Sequence, residues 1–217
     1  MERRDMAEGF APARAAKPRK SQVTRARILK AAAQLFSDIG YESASLEAIA
    51  RAAALRQGAV YYYFASKEAL AEEVLAIGLR GSLEAVQSAI ADAGAKAGFR
   101  EKLHAAIHAH LTRALASDDF SRANIRIFYQ MPAPVRARQA RARARYSALW
   151  LALLEDGRGG GHVRADVDLK TAQLLLMGAM NWAIDWYEPR RHSLAALAEE
   201  TAGLFLNGVG KGERQAK

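Results

Sequence analysis

The sequence predicts an all-α protein, on three observations. Apolar residues recur at helical spacing through most of the 217 residues, and no run alternates with period two. Ser, Asp, Gly and Pro punctuate the apolar stretches where caps and stops belong. No internal repeat is visible, and the punctuation divides the chain into about nine helices behind an N-terminal arm.

Residues 1–20 mix Ala, Pro, Arg and Lys without apolar periodicity and read as a flexible basic arm. Ile28, Ala32, Leu35 and Ile39 then share one stripe that closes at Gly40, a natural residue just past a helix end. Ser45 can cap a short helix carrying Leu46, Ile49 and Ala53, and a third short helix runs over Gln57–Tyr63. Ser66 caps a long helix from Lys67 to about Ile90, with Leu70, Val74 and Ile77 on its inner face, and the Gly/Ala-rich stretch 91–98 breaks it. Further helices are expected over about 100–116, 120–129 and 133–155, the last admitted by Pro132 and Pro134. The glycine-rich stretch 156–162 is the strongest loop. Asp168 opens a helix to about Tyr187, stopped by Pro189, and Ser193 opens the last, to about residue 208. The chain thus divides into three units: the arm (1–20), a small helical domain (21–66) and a larger one (67–217).

Composition narrows the function classes. With 51% hydrophobic residues the chain is too apolar for wholesale disorder. The absence of cysteine excludes disulfides, cysteine-based zinc sites, thiolate catalysis and iron–sulfur clusters, and fits a reducing compartment. No apolar run has signal-peptide form or approaches the roughly 18 residues of a membrane span, so a soluble, cytoplasmic chain is expected. The net charge of +9 is unevenly placed: residues 1–67 hold 12 basic and 6 acidic side chains, whereas 68–217 hold 20 and 17. A basic end suggests a polyanion, either nucleic acid or an anionic membrane; a solubilising tail is the plain alternative.

The segment after the arm decides between them. Three helices within 28–64, the second and third short and closely spaced, fit a helix-turn-helix, whose later helix enters the DNA major groove. The third helix has suitable chemistry. Gln57 can pair bidentately with adenine, Ala59 or a Tyr ring can pack on a thymine methyl, and the tyrosine hydroxyls and Lys67 can reach phosphates. Val60 and Phe64 point back to the first helix. The alternative, that Tyr61, Tyr62 and Tyr63 merely pack the domain, meets the 100° turn per residue: three consecutive side chains cannot all face inward.

Arg27-Ile28-Leu29-Lys30-Ala31-Ala32, Leu35-Phe36, Gly40-Tyr41, Ile49-Ala50 and the run from Gly58 to Glu68 resemble the N-terminal domain of the TetR family of bacterial transcriptional regulators. The resemblance covers about residues 23–75. It implies double-stranded DNA as partner, with contacts from Gln57, Ala59, Tyr61, Tyr62, Tyr63 and Lys67 and with Thr24, Ser45 and Arg56 as phosphate or groove neighbours. The family pattern A-G-V-S-x-G-T-L-Y-x-H-F is altered at its polar and turn positions: Ala54 replaces the turn Gly, Arg56 the Ser, Ala59 the Thr and Tyr63 the His.

The resemblance also implies a C-terminal ligand-binding domain and a homodimer made through the last two helices. Leu174, Leu175, Met177 and Trp182 on one helix and Leu197, Leu204 and Phe205 on the next are compatible with that, as with an intrachain core. Two features interrupt the apolar helices. Asn181, Trp182 and Trp186 either specify packing or point at a cavity. Arg136, Arg138, Arg141, Arg143 and Arg145 lead into Tyr146 and Trp150 with no acid between Val135 and Leu154. With Val135, Ala142, Tyr146, Leu149 and Leu153 as the inward stripe, Arg138, Arg141 and Arg145 flank one side. They read either as a solvated face or as a site for an anionic ligand. Arg143, Tyr146, Trp150, the segment 160–166 and the segment 181–189 are similar to a TetR subgroup that responds to acyl-coenzyme A thioesters in fatty-acid, sterol and aromatic-acid catabolism. A drug sensor controlling an efflux pump is the alternative.

No enzyme signature competes. His104 and His108 stand at i, i+4 but lack accompanying carboxylates, and P-loop, dinucleotide and nucleophile-elbow motifs are absent. Neither a cofactor nor a metal is expected.

Overall fold

The structure, a computed structural model, describes residues 20–117 and 119–210. The expected arm lies outside the described residues except for Lys20. Among the described residues nine α-helices run in order: α1 Lys20–Ser43, α2 Leu46–Ala52, α3 Gln57–Tyr63, α4 Lys67–Asp92, α5 Phe99–Thr112, α6 Asp119–Ile127, α7 Ala133–Gly159, α8 Leu169–Trp186 and α9 Leu194–Val209. A π-turn, Arg113–Ser117, continues α5, and a 3-10 turn, Phe128–Gln130, continues α6. Among the described residues extended pairing is limited to one bridge, between Val163 and Gly210. The chain is all-α.

The caps read from sequence hold their helices. Ser45, Ser66 and Ser193 each accept a hydrogen bond from the backbone N–H three residues on (3.0–3.1 Å), and the Asp168 carboxylate accepts one from Thr171 at 2.6 Å. That bond holds the Asp168 carboxyl below its ordinary pKa. Gly40 marks the end of the regular part of α1: its φ of +80° breaks the helical path, and Ser43 is reached beyond the kink. Helix α7 runs past Glu155 to Gly159, so the glycine-rich loop is shorter than expected.

Two cores stack along α4. The first gathers Ile28, Phe36, Ile49, Val60, Leu70 and Leu75, and it takes Ala123, Ile127 and Phe128 from around α6 and Val135 from α7. The second lies among the distal half of α4 and α5, α7, α8 and α9, around Leu103, Ile107, Trp150, Leu176 and Leu206. The first core is therefore completed by residues beyond position 66, because α6 folds back onto α1. Gly78 makes that return possible: a Cβ there would stand 2.1 Å from the Phe120 carbonyl. Helix α4 is long and apolar enough to cross a membrane by length and composition. Its apolar residues are instead shared between the two cores.

Candidate nucleic-acid interface and effector cavity

Helices α2 and α3 form a helix-turn-helix whose turn is tight and backbone-bonded. Leu55 N–H donates to Ala50 at 2.8 Å, and Ala54 N–H donates to Arg51 at 3.0 Å. Ala54 sits at φ +52°, the one non-glycine residue with positive φ among those described. Beyond it α3 is anchored by Val60, which is fully buried, and by Phe64, over whose ring the Arg25 guanidinium lies 4.8 Å from the centroid. Arg25 is in turn paired with Glu73.

The opposite face of α3 is free. Arg56, Gln57 and Gly58 are exposed, Ala59 is partly so, and Tyr61 and Tyr62 are 54% and 82% exposed. Tyr63 is half-buried and meets Tyr62 edge to face at 5.1 Å. Packing alone therefore does not account for the tyrosine run. Ser45 and Thr24 are engaged locally: the Ser45 hydroxyl caps α2, and the Thr24 hydroxyl donates to the Lys20 carbonyl at 3.1 Å. Lys67 turns away from α3. Its Nζ donates to the Tyr41 carbonyl at 2.8 Å and lies 4.3 Å from the Tyr41 ring centroid, so it closes the open carbonyl end of α1.

A cavity of about 190 Å³ opens between α4, α5, α6, α7 and α8. Leu79, Ala114, Leu174 and Met177 supply apolar wall, and Arg143 enters from α7. The Arg143 guanidinium lies 3.5 Å from the centroid of the Phe128 ring and donates to Asn124 Oδ1 at 3.0 Å. Asn124 Nδ2 in turn donates to the Leu75 carbonyl at 2.7 Å. Burial pushes the Arg143 pKa below the ordinary arginine value, with Tyr129 opposing. None of the ion pairs among the described residues includes it.

At the other end of the cavity His110 Nδ1 and the Tyr146 hydroxyl stand 2.7 Å apart. Burial lowers the His110 pKa to about 4, opposed by a weak hydrogen bond to the Asn181 side chain, so the ring is neutral at physiological pH. Burial raises the Tyr146 pKa, which keeps its hydroxyl protonated. His110 Nε2 and Asn181 Oδ1 are both buried without a well-formed hydrogen bond. A polar ligand at these atoms is what the arrangement can accommodate chemically.

Residues 96–209 match the family described as Tetracyclin repressor-like, C-terminal domain, and residues 28–74 match Bacterial regulatory proteins, tetR family. The chain belongs to the TetR family. The HTH-type transcriptional repressor KstR2 of Rhodococcus jostii is 26% identical over 191 residues, covering 85% of this chain and 90% of that one. The crystal structure of the TetR regulator PfmR of Thermus thermophilus superposes with a TM-score of 0.71 at 27% identity, covering 83% and 97% of the two chains. A structure of AibR in complex with isovaleryl coenzyme A and operator DNA shares the fold, with a TM-score of 0.73 at 20% identity and coverage of 86% and 97%. This TetR-family chain is a transcriptional regulator and not an enzyme.

Within the TetR frame, the candidate residues fall into two groups. Tyr146 and Asn181 line the cavity, and Trp150 packs fully buried beside His110, their ring centroids 6.1 Å apart. Arg138, Arg141 and Arg145 do not reach it: all three are exposed, and Arg138 is held by Glu72 at 2.7 Å. The inward stripe of α7 runs through Val135, Gln139, Tyr146 and Trp150, with Ala142 exposed, and this phase carries Arg143 inward. A search for apolar stripes passes over that arginine. Trp182 and Trp186 are 66% and 43% exposed and lie with Leu175 and Leu204 on the outer surface of α8 and α9. His110 also escapes a reading by sequence pattern, because its polar partners come from other helices. His104, by contrast, pairs with Glu199 at 3.2 Å on the surface.

Proposed function

We propose that this regulator is a homodimeric, cytoplasmic repressor that binds a near-palindromic operator and is released by a small organic acid, free or as its coenzyme A thioester. The observation that carries the DNA part is the free face of α3, which offers Gln57, Tyr61 and Tyr62 beyond a buried Val60. Residues 21–66 supply this reading head, and residues 67–217 supply the effector cavity and the dimer contact. Exposed Leu175, Trp182 and Leu204 on α8 and α9 support pairing of two copies there, since large apolar patches seldom stay uncovered. Two copies place two recognition helices on two half-sites.

The effector reading rests on the Arg143 cavity. AibR, in a structure with this fold, binds isovaleryl coenzyme A. A cationic group in the cavity also favours an acid over the neutral hydrophobic drug of an efflux regulator. The effector needs to favour the released dimer geometry by only a few kcal/mol. Fluorescence anisotropy across a salt series, with promoter DNA from beside the gene against scrambled DNA, tests the proposal. Equal affinities throughout would sink it.

A further inference from the structure

The cavity combines features that a structural core has no reason to keep. Its cation, Arg143, is bonded to a neutral amide and stacked on a ring, and no described ion pair compensates its charge. A partly buried guanidinium without a counter-charge keeps donors free for an acceptor oxygen, a carboxylate above all. His110 Nε2 and Asn181 Oδ1, side chains from α5 and α8 that line the same space, are both without a well-formed bond. A hydroxyl suits such a pair, because it accepts from one atom and donates to the other.

Size and spacing limit what can connect these groups. A cavity of about 150 Å³ holds benzene; the present 190 Å³, open on one side, is enough to enclose a single ring or short branched chain with a few oxygens. Arg143 and Tyr146, the partner of His110, stand three residues apart on one face of α7, about 5–6 Å between their Cβ atoms. The two polar ends of the cavity thus meet on one face of α7.

We infer that the cavity takes a compact organic acid, free or as a thioester, whose acid-end oxygen faces Arg143 and whose distal hydroxyl bridges His110 and Asn181. This rests on the reading that the effector enters this cavity, and it adds the chemistry and size of that effector.

Isothermal titration calorimetry on the full chain tests it with two matched pairs, 4-hydroxybenzoate against benzoate and 4-hydroxybenzoyl-coenzyme A against benzoyl-coenzyme A. The expected result is that the hydroxylated member of at least one pair binds about tenfold more tightly, as one satisfied hydrogen bond implies. Asn181→Ala narrows that gap to about twofold, and Arg143→Gln weakens both members of the pair about tenfold or more. A gap in the free-acid pair identifies the acid as the source, and a gap confined to the thioesters identifies coenzyme A. No gap in the unaltered protein, a gap that survives Asn181→Ala, or no binding by any of the four overturns the inference. The first and last of these outcomes do not depend on a variant folding. Operator release is measured separately by anisotropy. Binding without release defeats the effector reading and spares the cavity chemistry, whereas release by another compound with none of the four bound does the reverse.

Discussion

Arg27 Nη2 donates to the carbonyls of both Ala53 and Ala54, and so clamps the helix-turn-helix at its strained residue. Ala54, at φ +52°, occupies the left-handed region where a Cβ is unwelcome, at a position where the family pattern carries glycine. The strain costs an L-residue about 1 kcal/mol, and the clamp comes from α1, the helix against which α3 must be held.

Ala54→Gly should therefore raise stability by about 0.5–1 kcal/mol, the strain relief exceeding the entropy glycine adds to the unfolded chain. Arg27→Ala should lower stability by about 1 kcal/mol and weaken operator binding. In Arg27→Ala/Ala54→Gly the operator affinity should recover. Urea denaturation with anisotropy on the same samples checks all three. A neutral or destabilising Ala54→Gly would show that the turn carries no strain.

Gln57→Ala and Tyr62→Ala should weaken operator binding while leaving the melting temperature unchanged, because both side chains are exposed and the α3 anchor is Val60. Loss of a bidentate base contact from Gln57 costs about 1–3 kcal/mol and relaxes the preference at one base position. Val60→Ala should behave oppositely and lower stability by about 2 kcal/mol. Anisotropy against a set of single-base operator variants, with thermal melts alongside, separates the two effects.

The parts of the fold legible in the sequence are those that periodicity and local bonding can register. Helix starts are legible because Ser45, Ser66, Asp168 and Ser193 act locally, on a backbone N–H three residues away. The α3 reading face is legible because Val60 and Phe64 fix its phase. The cavity is not. It is a void among five helices, and its key cation accompanies an inward stripe that passes through Gln139 and Arg143, residues that a hydrophobic pattern assigns to the surface. The role of Lys67 is hidden for a similar reason: its partner is a carbonyl freed by the kink at Gly40, distant in sequence.

The outer face of α8 and α9 predicts the oligomeric state. Trp182→Glu with Leu204→Glu places charge on side chains that are 66% and 77% exposed, so the isolated fold should tolerate both. Light scattering should then report a monomer, and operator affinity should fall at least tenfold as the second half-site is lost. A dimer that persists in the double variant would move the interface elsewhere.

His110 sets a pH dependence with a definite sign. Its folded pKa of about 4 lies below the unfolded value of 6.5, so the unfolded chain binds the extra proton first. Its contribution is fully present above about pH 6.5, declines as the pH falls towards 4, and amounts to about 3 kcal/mol across that window. The groups packed round the ring, Tyr146, Trp150 and Asn181, carry no charge there that could cancel the effect. His110→Phe removes the ionisable ring, so the difference in unfolding free energy between pH 7 and pH 5 should shrink by about 2 kcal/mol relative to the unaltered chain. Urea denaturation at the two pH values measures it, and identical slopes for the two proteins would mean that His110 meets solvent.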